Sequence, residues 1–280
     1  MLEDFPGINK DPQPHEFYIY TKRRIFFVTL SLVFSGLFTS GLILLLKPTN
    51  QFLFLPLTLI LGELLLVAPL LFIIAKSERN FIEVLRFNKI NVRIIFVSIL
   101  LSIGVVIISD ELERIISLIF SPPEWLDEFG HFLSVDDPII LILIFLGAVP
   151  LAAICEEILF RGFLQQVLEK GWQDVTRAVL LGSLFFALVH LVPYWAIQIY
   201  MLALIMGYMA WVTNSIFPSM ILHGINNGIA FSFANWKTFF DGWYDWNGHV
   251  SPIILSLGIA IAIIGFKQFS SQQLAKDREL

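Results

Sequence analysis

The chain has 280 residues, of which 57% are hydrophobic and 15% are charged, and its formal net charge is −5. Soluble domains have a smaller apolar and a larger charged fraction, so this composition excludes an ordinary water-soluble protein. The single cysteine, Cys155, excludes an internal disulfide and a CxxC metal cluster. We therefore expect the lipid bilayer as the surroundings of the chain and no nucleic-acid partner.

The apolar residues fall into blocks that predict an all-α bundle of about eight transmembrane helices in a single domain, 1–280. A polar stretch, 110–137, separates the first three blocks from the others and is expected to be interfacial or extramembrane. The predicted spans are 25–46, 52–75, 94–109, one that starts near 138 and continues past Pro150, 175–191, 195–212, 216–233 and 252–266.

The charged residues between these blocks predict an orientation, because cytoplasmic loops are enriched in Lys and Arg. Lys22, Arg23 and Arg24 place the amino terminus in the cytoplasm, and the basic loop 76–93 falls on the same side two spans later. The acid-rich loop 110–137 then lies outside, and the last span returns the carboxyl terminus to the cytoplasm. We expect a multi-pass protein of the prokaryotic plasma membrane with both termini cytoplasmic and no removable signal peptide.

The fourth block brings charge into an apolar helix at Glu156, Glu157 and Arg161. Glu157 and Arg161 are four residues apart, so they can form an ion pair on one helix face. Glu156 is rotated from Glu157 by about 100° and is free to face a cavity, where a carboxylate can act as a general base for water. A purely structural ion-pair network within the membrane is the alternative.

Two later blocks carry histidines with a partner one helical turn away, Phe186 with His190 and His223 with Asn227. Glu156 and His190 lie about equally far from a chain reversal predicted near 171–173, so antiparallel helices bring them to one level. The depth of His223 matches less well and would need a broken or displaced helix. Each histidine taken alone could equally donate a hydrogen bond to a neighbouring carbonyl.

The order EExxxR, FxxxH, HxxxN on successive helices resembles the CAAX protease and bacteriocin-processing (CPBP) family of intramembrane proteases, over roughly 145–235. The resemblance implies a helical bundle with a water-filled cavity and an endopeptidase activity on a membrane-associated protein or peptide, including CAAX-type substrates. It implies that Glu156, helped by His190, activates water, and that His223 and Asn227 bind the developing oxyanion or help hold the water. Glu157 and Arg161 would support the site, and Phe186 would pack near the cavity.

Other interpretations of these residues remain open at this point. A glutamate and two histidines are also a ligand set for zinc, although the HExxH spacing is absent, so the use of a metal is left unknown and no cofactor is assigned. A transporter or proton-coupled channel also uses intramembrane acids and histidines, and a catalytically silent scaffold or immunity protein would keep the same fold. Glu63 either faces the bundle or is buried with a partner that the sequence does not reveal.

Overall fold

A computed structural model describes residues 51–76, 80–124, 126, 130 and 134–277 of the chain. A two-residue antiparallel hairpin, β1 (Asp245–Trp246) and β2 (His249–Val250), connects the last two long helices. Apart from this short hairpin, the regular structure of the described residues is helical. The architecture is the all-α membrane helix bundle that the sequence predicts. The helices are α1 (Gln51–Ala75), α2 (Phe81–Val84), α3 (Val92–Ile119), α4 (Pro138–Trp172), α5 (Val175–Val189), α6 (Ala196–Thr213), α7 (Phe217–Asn235), α8 (Lys237–Phe240) and α9 (Pro252–Asp277).

The described residues do not confirm the predicted count of about eight spans. Among the described residues, five helices are long and apolar enough to cross a membrane, and these are α1, α3, α4, the helix 193–213 that contains α6, and α9. α5 is shorter, with 15 residues, and α7, which carries the polar run 223–227, is not among the five. The predicted span 25–46, the basic cluster before it, Arg79 and Arg278 lie outside the described residues.

α3 continues well beyond the predicted span 94–109. The helix begins after Asn91, whose side chain accepts a hydrogen bond from the amide of Ile94, and continues to Ile119. Asp110 and Arg114 form an ion pair one turn apart at 3.1 Å, which supports a continuous helix at this point. The start of the polar stretch thus belongs to the same helix as the predicted span and is not a separate segment.

α4 is a helix of 35 residues in which π-helical hydrogen bonding interrupts the α-helix twice. The side chain of Asp137 caps its first turn, and Pro138 occupies the first position, where a missing N–H costs nothing. Two π-helical segments follow, Gly147–Leu151 with Pro150 inside it and Ile158–Gln165. Such local widening of a helix is frequent at functional sites, and here the two segments flank Ala152–Glu157, the turns that carry both glutamates.

α3 and α9 approach each other closely through small residues. A Cβ atom added to Gly104 would lie 2.5 Å from the carbonyl oxygen of Gly258 and 2.7 Å from the amide nitrogen of Ala262. Apolar side chains gain little from leaving lipid for another apolar surface, so close backbone packing between small residues is a main source of helix association in membranes. Gly104 therefore sets the distance between the two helices.

One end of the bundle, which we call the basic end, gathers the loops 76–92, 173–174 and 214–216. Arg86 donates a hydrogen bond from Nη1 to Oε1 of Glu169 at 3.1 Å, and Asn88 donates to the carbonyl of Asn214 at 2.6 Å. Arg93 on α3 also contacts Gln268 on α9 at 2.5 Å. The described cations of this end are Lys76, Arg86, Lys89, Arg93, Lys170, Arg177 and Lys267.

The opposite end, which we call the acidic end, gathers the end of α3, the residues before α4, the α5–α6 connection and 236–251. Arg114 pairs with Asp245 at 3.2 Å, and the Tyr244 hydroxyl donates to Asp110 at 2.8 Å. Burial and the neighbouring Asp110 carboxylate raise the pKa of Tyr244 above its ordinary value, so this donor keeps its proton. The described acids here are Asp110, Glu111, Glu113, Glu124, Asp136, Asp137, Asp241 and Asp245, beside two cations, Arg114 and Lys237.

Candidate active site

Glu157 lies at the centre of a buried polar network that joins two helices. Its side chain is 0% exposed, and its Oε1 accepts a hydrogen bond from Arg161 Nη1 at 2.7 Å. The same oxygen contacts His223 Nδ1 at 3.0 Å. Arg161 also donates to the carbonyl of Ala203 at 3.2 Å. The ion pair expected from the sequence spacing is present, and His223 is an additional partner that the spacing did not reveal.

Glu156, one residue earlier, faces a different environment. Its carboxylate is 16% exposed, and its Oε2 lies 3.7 Å from Nε2 of His190, which is 29% exposed. His190 Nδ1 lies 2.7 Å from the Phe186 carbonyl oxygen. Because a carbonyl only accepts, Nδ1 carries a proton and donates it, so neutral His190 presents the lone pair of Nε2 towards Glu156. Among the described residues, Oε2 of Glu156 has no hydrogen-bond partner.

Phe186 fills the space between the two histidines. It is 2% exposed, its ring centroid lies 4.6 Å from that of His190 and 5.8 Å from that of His223, and the guanidinium of Arg161 lies 4.2 Å above the ring. A buried cation above an aromatic face is stabilised by the ring quadrupole. Through this ring the structure brings His190 and His223 to neighbouring positions although they lie at different distances from their helix ends.

Asn227 is positioned by contacts on both sides of its amide. Its Nδ2 donates to the carbonyl of Ala148, in the first π-helical segment, at 3.0 Å, and its Oδ1 accepts from Asn226 at 3.3 Å. One N–H of the Asn227 amide remains for a further partner. Asn226 was not among the residues chosen from the sequence, although its place in the run 225–227 on the same helix was a signal.

Glu63 is a second acid that sequence reasoning left unassigned. It lies on α1, outside the three motifs, and its Oε2 is shielded from solvent with no hydrogen-bond partner among the described residues. It lines the same cavity as Glu156. A lone acid in the middle of an apolar span was the available signal, and the structure shows that it faces the interior of the bundle and not lipid.

These side chains line one large cavity with a volume of about 1710 Å³. Its wall contains Glu63, Glu156, Phe186, His190, His223, Asn226 and Asn227, whereas Glu157 and Arg161 lie behind the wall. Cys155 is 2% exposed and is not part of the lining, which agrees with a small packed side chain. A polar centre beside an apolar cavity of this size is typical of a substrate site.

No group of three or more His, Cys, Asp or Glu side chains within the described part of the chain is arranged to hold a metal ion. Glu156 and His190 approach each other, but His223 directs Nδ1 to Glu157. The ligand set that the sequence offered for zinc is therefore not assembled as a trio by the described residues.

Comparison with known proteins gives one family and no individual relative. Residues 138–229, which are 92 of the 280 residues, match the family model described as type II CAAX prenyl endopeptidase Rce1-like. No curated protein and no solved structure matches the chain. The matched segment begins with α4 and contains all three motifs. Together with the five long apolar helices, it gives an integral membrane protein in which residues 138–229 are similar to the Rce1-like type II CAAX prenyl endopeptidases, the family that the motifs resemble.

Proposed function

We propose that the chain is an intramembrane endopeptidase of the glutamate type, in which Glu156 activates a water molecule for attack on a peptide carbonyl. The observation that carries the proposal is the pair Glu156 Oε2 and His190 Nε2, 3.7 Å apart on the cavity wall. Both atoms accept hydrogen bonds when the carboxylate is charged and the imidazole neutral. A water molecule that donates one proton to each would be held with its oxygen lone pairs directed away from them.

In the first step Glu156 removes a proton from this water as the oxygen forms a bond to the substrate carbonyl carbon. The electron pair of the carbonyl moves to its oxygen and gives a tetrahedral oxyanion. In the second step Glu156 returns the proton to the leaving nitrogen as the C–N bond breaks. The products are a carboxylic acid and an amine, which become a carboxylate and an ammonium when the acid gives its proton to the amine, so the step needs no reactant besides water.

The developing oxyanion requires a fixed hydrogen-bond donor. The remaining N–H of Asn227 fits this role, because its amide is held by Ala148 and Asn226 and lies on the cavity wall. His223 uses Nδ1 for Glu157, so its Nε2 donates only when the imidazole is charged. Asn227 is therefore the constant donor in this proposal, and His223 adds a second when it is protonated.

Glu157 and Arg161 are positioning residues in this scheme and do not contact the substrate. Their pair fixes the turns that carry Glu156, and through His223 it connects α4 to α7. Phe186 packs against both histidines and limits their ring orientations. The proposal includes all seven residues chosen from the sequence and adds the hydrogen bond from His223 to Glu157.

The proposed substrate is a membrane-associated protein or peptide, and CAAX-type tails are included because the family match names them. We also propose that 1–280 is one integral membrane domain, since α1, α3 and α9 outside the matched segment contribute to the same buried core. The charge difference between the two ends supports the orientation proposed for a prokaryotic plasma membrane, with both termini in the cytoplasm.

Mass spectrometry of protein amino termini in membranes tests the proposal. Three samples at matched abundance contain the unaltered protein, Glu156→Gln and the control Glu83→Gln, which changes an exposed glutamate at the basic end. We expect a set of new amino termini that is present with the unaltered protein and the control and lost with Glu156→Gln. Identical termini in all three samples would exclude a Glu156-dependent protease and favour transport or scaffolding.

A further inference from the structure

The connection between α7 and α9, residues 236–251, carries a set of exposed aromatic rings at the acidic end. Four side chains of this connection are 49% to 67% exposed: Trp236, Phe239, Trp243 and Trp246. We call these four side chains the outer rings. None of the four belongs to the lining of the cavity, so the proposed reaction does not account for them. Large apolar side chains that are exposed close together mark a contact with a membrane or with another protein.

Buried and half-buried rings connect the outer rings to the bundle. The ring centroid of Phe233, near the end of α7, lies 4.3 Å from that of Phe240 and 5.2 Å from that of Tyr244. The Phe240 ring in turn lies 5.3 Å from that of Phe239 and 6.0 Å from that of Trp243. Aromatic pairs at such distances add stability beyond the area that they bury. The outer rings therefore rest on a packed aromatic base.

Polar contacts also hold the connection in place. The two carboxylate oxygens of Glu111 on α3 contact Nδ1 of His249 and accept a hydrogen bond from the amide of Val250, each at 2.8 Å. The indole Nε1 of Trp243 donates a hydrogen bond to the carbonyl oxygen of Phe239 at 2.6 Å. The exposed surface of the rings is thus a fixed feature of the fold.

The connection lies where the bilayer begins. The apolar span of α9 starts at Pro252, directly after the connection, and Ile253 and Leu257 present exposed apolar side chains on this span. The hydrocarbon core of a bilayer is about 30 Å thick and the headgroup regions bring the total to about 40 to 45 Å, so each headgroup layer spans roughly 6 Å. Residues just before Pro252 therefore lie within or close to this layer.

The residue types of the connection exclude the two other environments at this level. Lys237, Asp241 and Asn247 are exposed among the outer rings, and charged groups are costly in the hydrocarbon core. Four large rings left in water would forgo the favourable transfer of their apolar surface. The headgroup layer accommodates both the charges and the rings, because an indole ring is apolar over most of its surface and polar at one edge.

We propose that the outer rings insert into the lipid headgroup layer and anchor the connection 236–251 at the surface of the membrane. The partner of this surface is lipid, and not another protein or a further segment of the chain. Phe233 and Ala234, which precede the connection, line the cavity, so the anchor also fixes the depth of this part of the cavity wall in the bilayer. The inference goes beyond the proposed function and does not depend on it.

Spin labels test the position of the connection in the purified protein in dioleoylphosphatidylcholine liposomes. Thr238→Cys, exposed beside the outer rings, carries the reporting label and leaves all four rings in place. Leu257→Cys on α9 is the hydrocarbon reference, and Lys89→Cys at the basic end is the water reference. The native Cys155 is buried, and the unaltered protein treated with the label serves as the blank.

Two collision rates are measured for each label, one with oxygen, which concentrates in hydrocarbon, and one with a water-soluble nickel complex. We expect the ratio of the oxygen rate to the nickel rate for the reporting label to lie between those of the two references. A ratio equal to that of the water reference would place the connection in water and overturn the proposal. Protection of the reporting label from both reagents would also overturn it, because protein would then cover the surface.

Replacement of the rings tests whether they are the anchor. In the double variant Phe239→Ser, Trp243→Ser we expect the ratio of the reporting label to shift to that of the water reference. Phe81→Ser, which changes an exposed ring at the basic end, is the matched control and should leave the ratio unchanged. Trp246→Ser on the hairpin should give a smaller shift in the same direction and keeps the test valid if the double variant does not fold. An unchanged ratio in the ring variants would overturn the proposal.

Discussion

Two adjacent glutamates on α4 have opposite surroundings, and this difference separates a supporting residue from a reactive one. Glu157 is fully buried and shares one oxygen between Arg161 and His223. Glu156 lies on the cavity wall opposite His190, and its side chain is 16% exposed. A carboxylate held by a buried cation and an imidazole is a poor base, because both contacts stabilise its charged form. The proposal therefore assigns the proton transfer to Glu156.

Glu157 and Glu63 make a matched pair for a stability experiment, since both are acids inside the bundle. Among the described residues Glu157 pairs with Arg161 and His223, whereas Oε2 of Glu63 has no hydrogen-bond partner. Glu157→Gln leaves Arg161 without its counter-charge, so we expect the free energy of unfolding to fall by about 3 to 5 kcal/mol. Glu63→Gln changes a carboxyl group whose Oε2 has no hydrogen-bond partner among the described residues, so it should not lower stability. Thermal unfolding in detergent measures both, and a melting temperature of Glu63→Gln at or below that of Glu157→Gln would contradict the assignment.

Asn227 gives a kinetic prediction at the same scale. If its amide binds the oxyanion, Asn227→Ala lowers kcat by about 100- to 1000-fold with little change in KM, measured with a peptide identified from the membranes. Asn226→Ala removes only the hydrogen bond that orients Asn227 and should have a smaller effect on kcat. A rise in KM at constant kcat for Asn227→Ala would show a role in substrate binding and not in the transition state.

At the scale of the elements, the close contact of α3 with α9 supports the wall of the cavity. In Gly104→Ala the added Cβ atom would lie 2.5 Å from a backbone oxygen, so the helices must separate, and we expect the free energy of unfolding to fall by about 1 to 3 kcal/mol. Gly182→Ala on α5 is the control, because the nearest atom to its new Cβ is Leu168 Cδ1 at 4.0 Å.

The control should be neutral or gain stability, since alanine is a better helix former than glycine by up to about 1 kcal/mol. Thermal unfolding in detergent measures the stability of both variants. Equal loss of stability in the two would show that the α3–α9 contact does not contribute more to stability than the surroundings of Gly182.

The sequence predicted those elements and residues whose positions follow from local spacing. The pairing of Glu157 with Arg161 follows from a separation of four residues, and the meeting of Glu156 with His190 follows from their equal distance to the turn at Gln173, which adopts a left-handed conformation at the end of α4. The membrane class and the family match at 138–229 were also predicted and are confirmed.

The remaining features depend on contacts between helices that spacing alone does not give. The hydrogen bond from His223 to Glu157 requires the packing of α7 against α4, and the approach of Glu63 to Glu156 requires that of α1. The extension of α3 past Ser109 was missed because charged residues were interpreted as the end of the span, whereas Asp110, Glu113 and Arg114 find partners on neighbouring segments.

At the scale of the whole molecule, the matched segment and the cavity do not coincide. The motif residues lie within 138–229, but α1, α3 and the residues that follow the segment supply a large part of the cavity wall, including Glu63, Asp110 and Phe233. The chemistry is thus proposed for the matched segment and the choice of substrate for the whole bundle. This division explains how members of one family could share a reaction and differ in substrates.

The central claim is that Glu156 activates water, and the most direct test uses the purified protein in liposomes with a synthetic peptide that spans a cleavage site found in membranes. The rate is compared among the unaltered protein, the same protein after dialysis against a metal chelator, and Glu156→Gln. The account predicts a loss of about 100- to 10,000-fold for Glu156→Gln and an unchanged rate after chelation. Loss of activity on chelation that zinc restores, or normal turnover by Glu156→Gln, would contradict it.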